Sequence, residues 1–138
     1  MNGTYRQTMD AKGRLNIPIK LRSELGERFY VTKGLDGCLM VYAEADWRAI
    51  EEKMRALPLG KSRNLQRMLF ANAELCVPDS QWRIVVPQEL RDYAHLEKEV
   101  TIIGVGSRAE FWNSEAWDQV DGSMTSDDYA EAMDELGF

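Results

Sequence analysis

The nine residues Asp10-Ala11-Lys12-Gly13-Arg14-Leu15-Asn16-Ile17-Pro18 decide the reading of this chain, because they return 69 positions later as Asp79-Ser80-Gln81-Trp82-Arg83-Ile84-Val85-Val86-Pro87. Asp10 falls on Asp79, Arg14 on Arg83 and Pro18 on Pro87, and just beyond the segment Leu21 falls on Leu90 and Arg22 on Arg91. Leu15 meets Ile84 and Ile17 meets Val86. With one more residue of offset, Glu27 meets Glu97, Gly34 meets Gly104 and Trp47 meets Trp117. Ordered matches at a nearly constant spacing identify an internal repeat, and a repeat constrains the fold before any single residue does.

Outward from the motif, each copy reads as strand, turn, strand, short helix, strand, strand, helix. Thr4 to Met9 is expected as a strand, and Asp10 to Gly13 as the turn that follows, since Asp and Gly supply turn chemistry. Leu15 and Ile17 alternate with Arg14 and Asn16, the period of a half-buried strand. Pro18 suits the first position of a helix; Leu21 and Leu25 give it an inner face and Gly26 ends it. Phe29 to Thr32 and Cys38 to Tyr42 are strand-forming runs joined by a turn at Asp36-Gly37. Trp47, Ile50, Met54 and Leu57 share one face of a helix that is expected to stop at Pro58 and Gly60. The stripe of this helix is read as core, and a second helix is expected over 62–73, with Leu65, Met68, Leu69 and Ala73 as its apolar face. These readings divide the chain into a first motif (3–57), a linking helix (58–73), a second motif (74–120) and an acidic C-terminal tail (121–138). A unit of roughly 60 residues buries too little surface to stand robustly alone. No Gly/Ser/Pro-rich linker separates the copies, so they are expected to share one core about a pseudo-twofold axis.

Composition narrows the function. No apolar run approaches the ~20 residues of a bilayer span, and the first residues lack the apolar segment of a signal peptide, so a cytoplasmic protein without a membrane partner is expected. Cys38 and Cys76 form no CxxC pattern and sit in apolar strings, which reads as two reduced, buried thiols. His95 is the single histidine, too little for a zinc cluster or a Ser-His-Asp triad. Neither a GxxxxGK[ST] loop nor a GxGxxG loop occurs. No catalytic residue, metal, cofactor or small-molecule substrate is expected, and the chain does not read as an enzyme.

The net charge of −6 is unevenly spread. Residues 110–138 carry nine acids and no lysine or arginine, whereas the first 33 residues carry seven basic side chains against three acidic ones. A nucleic-acid footprint depends on where basic residues cluster, not on the total.

The doubled motif at Asp10 to Pro18 and Asp79 to Pro87, the segment Gly34-Leu35-Asp36-Gly37-Cys38-Leu39, and Gln66-Arg67-Met68-Leu69 between the copies resemble the MraZ family over residues 1 to about 120. The resemblance implies an α+β fold of two tandem AbrB/SpoVT-like, β-rich swapped-hairpin motifs, forming a pseudo-twofold double barrel with short helices. It implies a transcriptional regulator that assembles as a homo-oligomeric ring and is cytoplasmic and nucleoid-associated. Such a ring binds tandem repeats in double-stranded DNA upstream of the division and cell-wall gene cluster, its own gene included. The alternative is a structural or protein-interaction ring that does not bind DNA. The chain departs from the family pattern at Trp82, where glycine is usual before the motif arginine. Tryptophan resists the positive φ that glycine accepts, so the second turn is expected to take another shape.

Comparing the copies points to the side that meets DNA. Arg6 corresponds to Leu75, Lys12 to Gln81 and Lys20 to Glu89. The first copy is basic where the second is not, and phosphate binding draws on lysine and arginine. The first copy is therefore expected to supply the contacts and the second to pack and position. Arg14, just after the turn, can reach a phosphate or a guanine edge, or can close the turn by pairing with Asp10; the two roles are compatible. Lys12 at the turn tip is expected on phosphate. Arg22 reads either as a phosphate contact or as a structural arginine like Arg91. Arg6 and Lys20 complete the candidate DNA contacts. Asp10, Gly13, Asp79, Arg83 and Arg91 are expected to be structural parts of the motifs, and one further hypothesis is that the acidic tail competes with DNA for the basic face of its own or a neighbouring subunit.

Overall fold

The computed structural model describes residues 1–138. The first copy contains β1 (Thr4–Thr8), β2 (Arg14–Asn16), α1 (Ile19–Leu25), β3 (Phe29–Lys33), β4 (Leu39–Ala43) and α2 (Glu44–Arg55). After the linking α3 (Leu59–Phe70), the second copy repeats the order with β5 (Glu74–Cys76), β6 (Arg83–Val85), α4 (Gln88–Tyr93), β7 (Glu99–Gly104), β8 (Ala109–Asn113) and α5 (Ser114–Asp121). A last helix, α6 (Ser126–Glu135), follows. The α+β class expected from the repeat and the resemblance is the one observed.

The strands are exchanged between the copies. β1 does not pair with β2; it runs antiparallel to β7 of the second copy, with Thr4 opposite Ile103 and Thr8 opposite Glu99. In return β5 pairs with β3, Phe29 lying opposite Cys76. β2 and β6 form a separate two-stranded ribbon. The main sheet runs β1-β7-β8-β4-β3-β5. This order reads identically from either end once the copies are interchanged, which is the pseudo-twofold axis in the topology. The exchange solves a burial problem, because a single copy would leave its hairpin β3–β4 or β7–β8 with an open edge and half a core.

One cluster of 19 buried residues draws on both copies: Leu15, Ile17, Leu21 and Phe29 from the first meet Ile84, Val86, Leu90 and Phe111 from the second. Burying each large side chain contributes about 1.5–3 kcal/mol. Asp36 and Gly37 take positive φ, 61° and 81°, in the loop 35–37 that closes the β3–β4 hairpin, where the Gly34 N–H donates to the Cys38 carbonyl. Cys38 and Cys76 are buried and unpaired, and burial pushes both thiols up to about 12. No helix is long and apolar enough to cross a membrane.

The helical link differs from expectation. α2 already stops at Arg55, with Ala56 as its C-cap, and Pro58 starts the next helix instead: α3 begins at Leu59, contains Gly60 and stops at Phe70. Pro58 takes an extended conformation (ψ 133°) at the N-cap position of α3, and its carbonyl accepts from the Ser62 hydroxyl. The two apolar stripes are only partly core. Trp47 is buried against Tyr30, 4.9 Å away ring to ring, and against Phe70, while Ile50 and Met54 are half-buried and Leu57 is exposed. On α3, Leu69 is buried but Leu65 and Met68 are exposed. α2 packs on β3 and β4 and α3 chiefly on β3, so each helix meets the sheet with a narrower face than its sequence pattern suggests.

Candidate nucleic-acid interface

The motif turn is assembled around one carboxylate. Asp10 Oδ1 accepts the backbone N–H groups of Lys12 and Arg14, both at 2.9 Å, and Oδ2 accepts the Arg14 guanidinium at Nε. The Gly13 N–H donates to the Asp10 carbonyl and the Asp10 N–H to the Arg14 carbonyl. These donors, the Arg14 N–H foremost and its guanidinium next, hold the Asp10 carboxyl below its ordinary range. The second turn repeats every bond: Asp79 Oδ1 accepts from Gln81 and Arg83, Oδ2 from Arg83 Nε, and the Trp82 N–H donates to the Asp79 carbonyl. The Asp79 carboxyl is likewise lowered, chiefly by the Arg83 N–H.

The expectation that Trp82 forces a different turn is therefore wrong. Trp82 adopts φ 58° where Gly13 has φ 83°. A left-handed tryptophan costs roughly 1–2 kcal/mol of backbone strain, and the five hydrogen bonds of the turn, with packing of the indole on the core, outweigh it. The intrinsic preference of one residue loses to the motif built around its aspartate.

The β2–β6 ribbon brings the motif arginines together. Arg14 lies opposite Val85, Leu15 opposite Ile84 and Asn16 opposite Arg83. Opposite residues of a ladder share a face, and successive residues alternate. Leu15 and Ile84 thus point into the core, and Arg14, Asn16, Arg83 and Val85 form the outer face. The Arg14 and Arg83 side chains keep 40% and 34% exposure. Each is tied to its aspartate at Nε, which leaves the Nη edges of both forks for a ligand. The alternation along β2 already sets Asn16 on the side of Arg14; that Arg83 and Val85 join them comes from the pairing with β6, a register which no local pattern displays.

A second basic group borders β1. Arg6, Lys20 and Arg22 line one open groove together with Asn16 and Ile19. Lys20 is exposed at the start of α1 and Lys12 at the tip of the first turn. Arg6 pairs with Asp118 on α5 of the second copy. Arg22 is half-buried; its Nε donates to the Ile17 carbonyl at 2.9 Å. Arg91 makes the equivalent bond to the Val86 carbonyl, also at 2.9 Å. Four of the five expected contact residues thus carry free or exchangeable donors on the surface, and the fifth, Arg22, keeps its Nη groups.

A pseudo-twofold α+β chain with strands swapped between two motifs, and with both motif arginines on one face of a surface ribbon, is a tandem form of the AbrB-like class. The family model described as "MraZ protein, putative antitoxin-like" matches it twice, over residues 1–67 and 69–136. The chain belongs to the MraZ family. It is 45% identical to "Transcriptional regulator MraZ" of Alkaliphilus metalliredigens, covering 99% of this chain and 98% of that protein. The protein of the same name from Carboxydothermus hydrogenoformans is 52% identical over 83% of this chain and 82% of its own length. That of Caldicellulosiruptor saccharolyticus is 47% identical over 99% and 98%.

Proposed function

We propose that this protein regulates transcription by binding double-stranded DNA sequence-specifically, with the outer face of the β2–β6 ribbon and the adjoining groove as its interface. The observation that carries the reading is that Arg14 and Arg83 lie diagonally on one outward face of the ribbon, each fork oriented by its own aspartate. An arginine whose Nε is already engaged loses little further freedom when its Nη edge meets a phosphate or a guanine, so orientation favours bidentate recognition. Membership of a family whose relatives are named as transcriptional regulators supports the same reading.

Arg14 reads base or phosphate; Lys12, Lys20, Arg6 and Arg22 contact phosphates. The first motif (3–57) makes the larger share of contacts, since Gln81 and Glu89 stand where Lys12 and Lys20 stand. The second motif (74–120), joined through 58–73, packs and orients it, and 121–138 forms an acidic appendage. Contacts through one such face are few, and a homo-oligomeric ring on tandem repeats multiplies them through effective concentration. The target is the DNA upstream of the division and cell-wall gene cluster, including the protein's own gene. The protein acts in the cytoplasm at the nucleoid, as a binding protein and not a catalyst.

Fluorescence anisotropy with a labelled duplex from upstream of its own gene tests this against a scrambled duplex. Wild type is expected to prefer the upstream duplex and Arg14→Ala to lose that preference. A folded, oligomeric wild type that binds both duplexes equally weakly would point instead to a ring that serves protein interaction alone.

A further inference from the structure

Trp82 occupies a left-handed conformation, φ 58°, that glycine would take without strain. An outlier of this kind is retained where the side chain supplies something the backbone alone does not. The indole lies beneath a residue of the other motif: the Arg22 Cζ is 5.5 Å from the centre of the Trp82 ring. The Trp82 carbonyl accepts the Ile17 N–H at 2.9 Å, and the Ile17 carbonyl accepts Arg22 Nε at the same distance. The guanidinium is thus held on two sides, by the indole ring it lies over and through Nε by the backbone.

The pseudo-symmetric position shows what the indole adds. In the first turn Gly13 approaches Arg91 so closely that a β-carbon would lie 2.8 Å from the Arg91 Cζ. There the arginine rests on bare backbone. Arg22 instead has an aromatic platform, and it is Arg22 that lines the groove with Arg6 and Lys20.

We propose that Trp82 is a positioning residue for Arg22: the second motif, through this indole, holds the first motif's guanidinium so that its Nη edge meets a DNA phosphate in the groove beside Arg6 and Lys20. The inference rests on the DNA-binding reading above. A cation stacked on an aromatic ring gains about 0.5–1 kcal/mol at an exposed site, which corresponds to a 2- to 5-fold change in affinity when the platform is removed.

The test is a double-variant cycle on DNA binding. Anisotropy is read for the full-length protein on the upstream duplex at several salt concentrations, for wild type, Trp82→Gly, Trp82→Phe, Arg22→Gln and the Trp82→Gly/Arg22→Gln pair. Trp82→Gly removes the ring while relieving the backbone, which favours retention of the fold; melting curves confirm it. Trp82→Gly and Arg22→Gln are each expected to weaken binding about 2- to 5-fold, the pair no more than Arg22→Gln alone. Trp82→Phe is expected to recover most of the loss. In Arg22→Gln the dependence of log Kd on log salt is expected to flatten by about 0.9, the share of one phosphate. A purely structural Trp82 would shift the melting temperature and leave affinity and salt slope unchanged, which overturns the proposal, as do additive losses in the pair. Arg14→Ala separates the layers: if it abolishes binding while Trp82→Gly does not weaken it, the DNA reading stands and this inference fails. A wild type that binds no duplex overturns both.

Discussion

At Gly13 a β-carbon would sit 2.8 Å from the Arg91 Cζ and 2.8 Å from the Val86 carbonyl oxygen, and φ is 83°. Gly13→Ala therefore combines left-handed strain with a contact against backbone that does not yield. It is expected to lower stability by about 1–3 kcal/mol, read as the urea midpoint; an unchanged midpoint would mean that the turn rearranges freely. The carboxylates of the two turns carry a pH dependence. Asp10 and Asp79 are lowered in the folded protein, each chiefly by the backbone N–H of its own motif arginine. A depressed carboxyl contributes stability that is complete above its unfolded value, about 3.9, and is lost as pH falls through the folded value. Asp10→Asn is expected to lower the melting temperature at neutral pH and to flatten its decline below about pH 4. A decline as steep as in wild type would assign the acid limit to other carboxylates. Asp118 makes a further case, because it occupies the Arg6 guanidinium that DNA is proposed to use. An exposed pair of this kind is worth about 0.2–1 kcal/mol. Asp118→Asn is thus expected to tighten DNA binding about 1.5- to 5-fold at low salt, an effect that should vanish in an Arg6→Gln background. Equal tightening in both backgrounds would reduce it to general repulsion between an acid and DNA.

Among the elements, the β2–β6 ribbon ties the core to the proposed interface. Leu15 is fully buried beneath the same strand that carries Arg14 outward. Leu15→Ala is expected to cost about 2–5 kcal/mol by chemical denaturation; a loss below 1 kcal/mol would show that the site collapses around the cavity. Local structure was legible where local chemistry rules. Pro18 and Gly26 bracketed α1, Asp36-Gly37 marked a hairpin, and the alternation at Leu15 and Ile17 marked a strand. The strand exchange was not legible in residues 4–8, because the alternation of β1 fits pairing with β2 or with β7 equally well. Trp82 was misread because a single-residue preference was weighed without the hydrogen bonds Asp79 would make. The alternation along residues 14–17 put Arg14 and Asn16 on one side of a strand, while the placement of Arg83 on the same face emerged only from the β2–β6 register. On α2 and α3 the apolar stripes were visible, but periodicity does not say how much of a stripe the sheet covers, and Leu57, Leu65 and Met68 remain exposed.

Across the whole molecule, the pseudo-twofold axis makes the copies alike in fold while their charges make them unlike in surface. The net charge of −6 conceals a basic first motif and an acidic C-terminal third. The axis places Arg14 and Arg83 in equivalent turns, yet Lys12 and Lys20 have no cationic counterparts in Gln81 and Glu89. Symmetry of structure with asymmetry of charge predicts unequal use of the two turns on DNA. The most direct test compares Arg14→Gln with Arg83→Gln by anisotropy on the upstream duplex across a salt series, both variants being confirmed as folded by their melting curves. The account predicts sequence-selective binding by wild type, with a larger loss in Arg14→Gln than in Arg83→Gln and a salt slope flattened by about 0.9 for each phosphate contact removed. Binding unaffected by Arg14→Gln would contradict it.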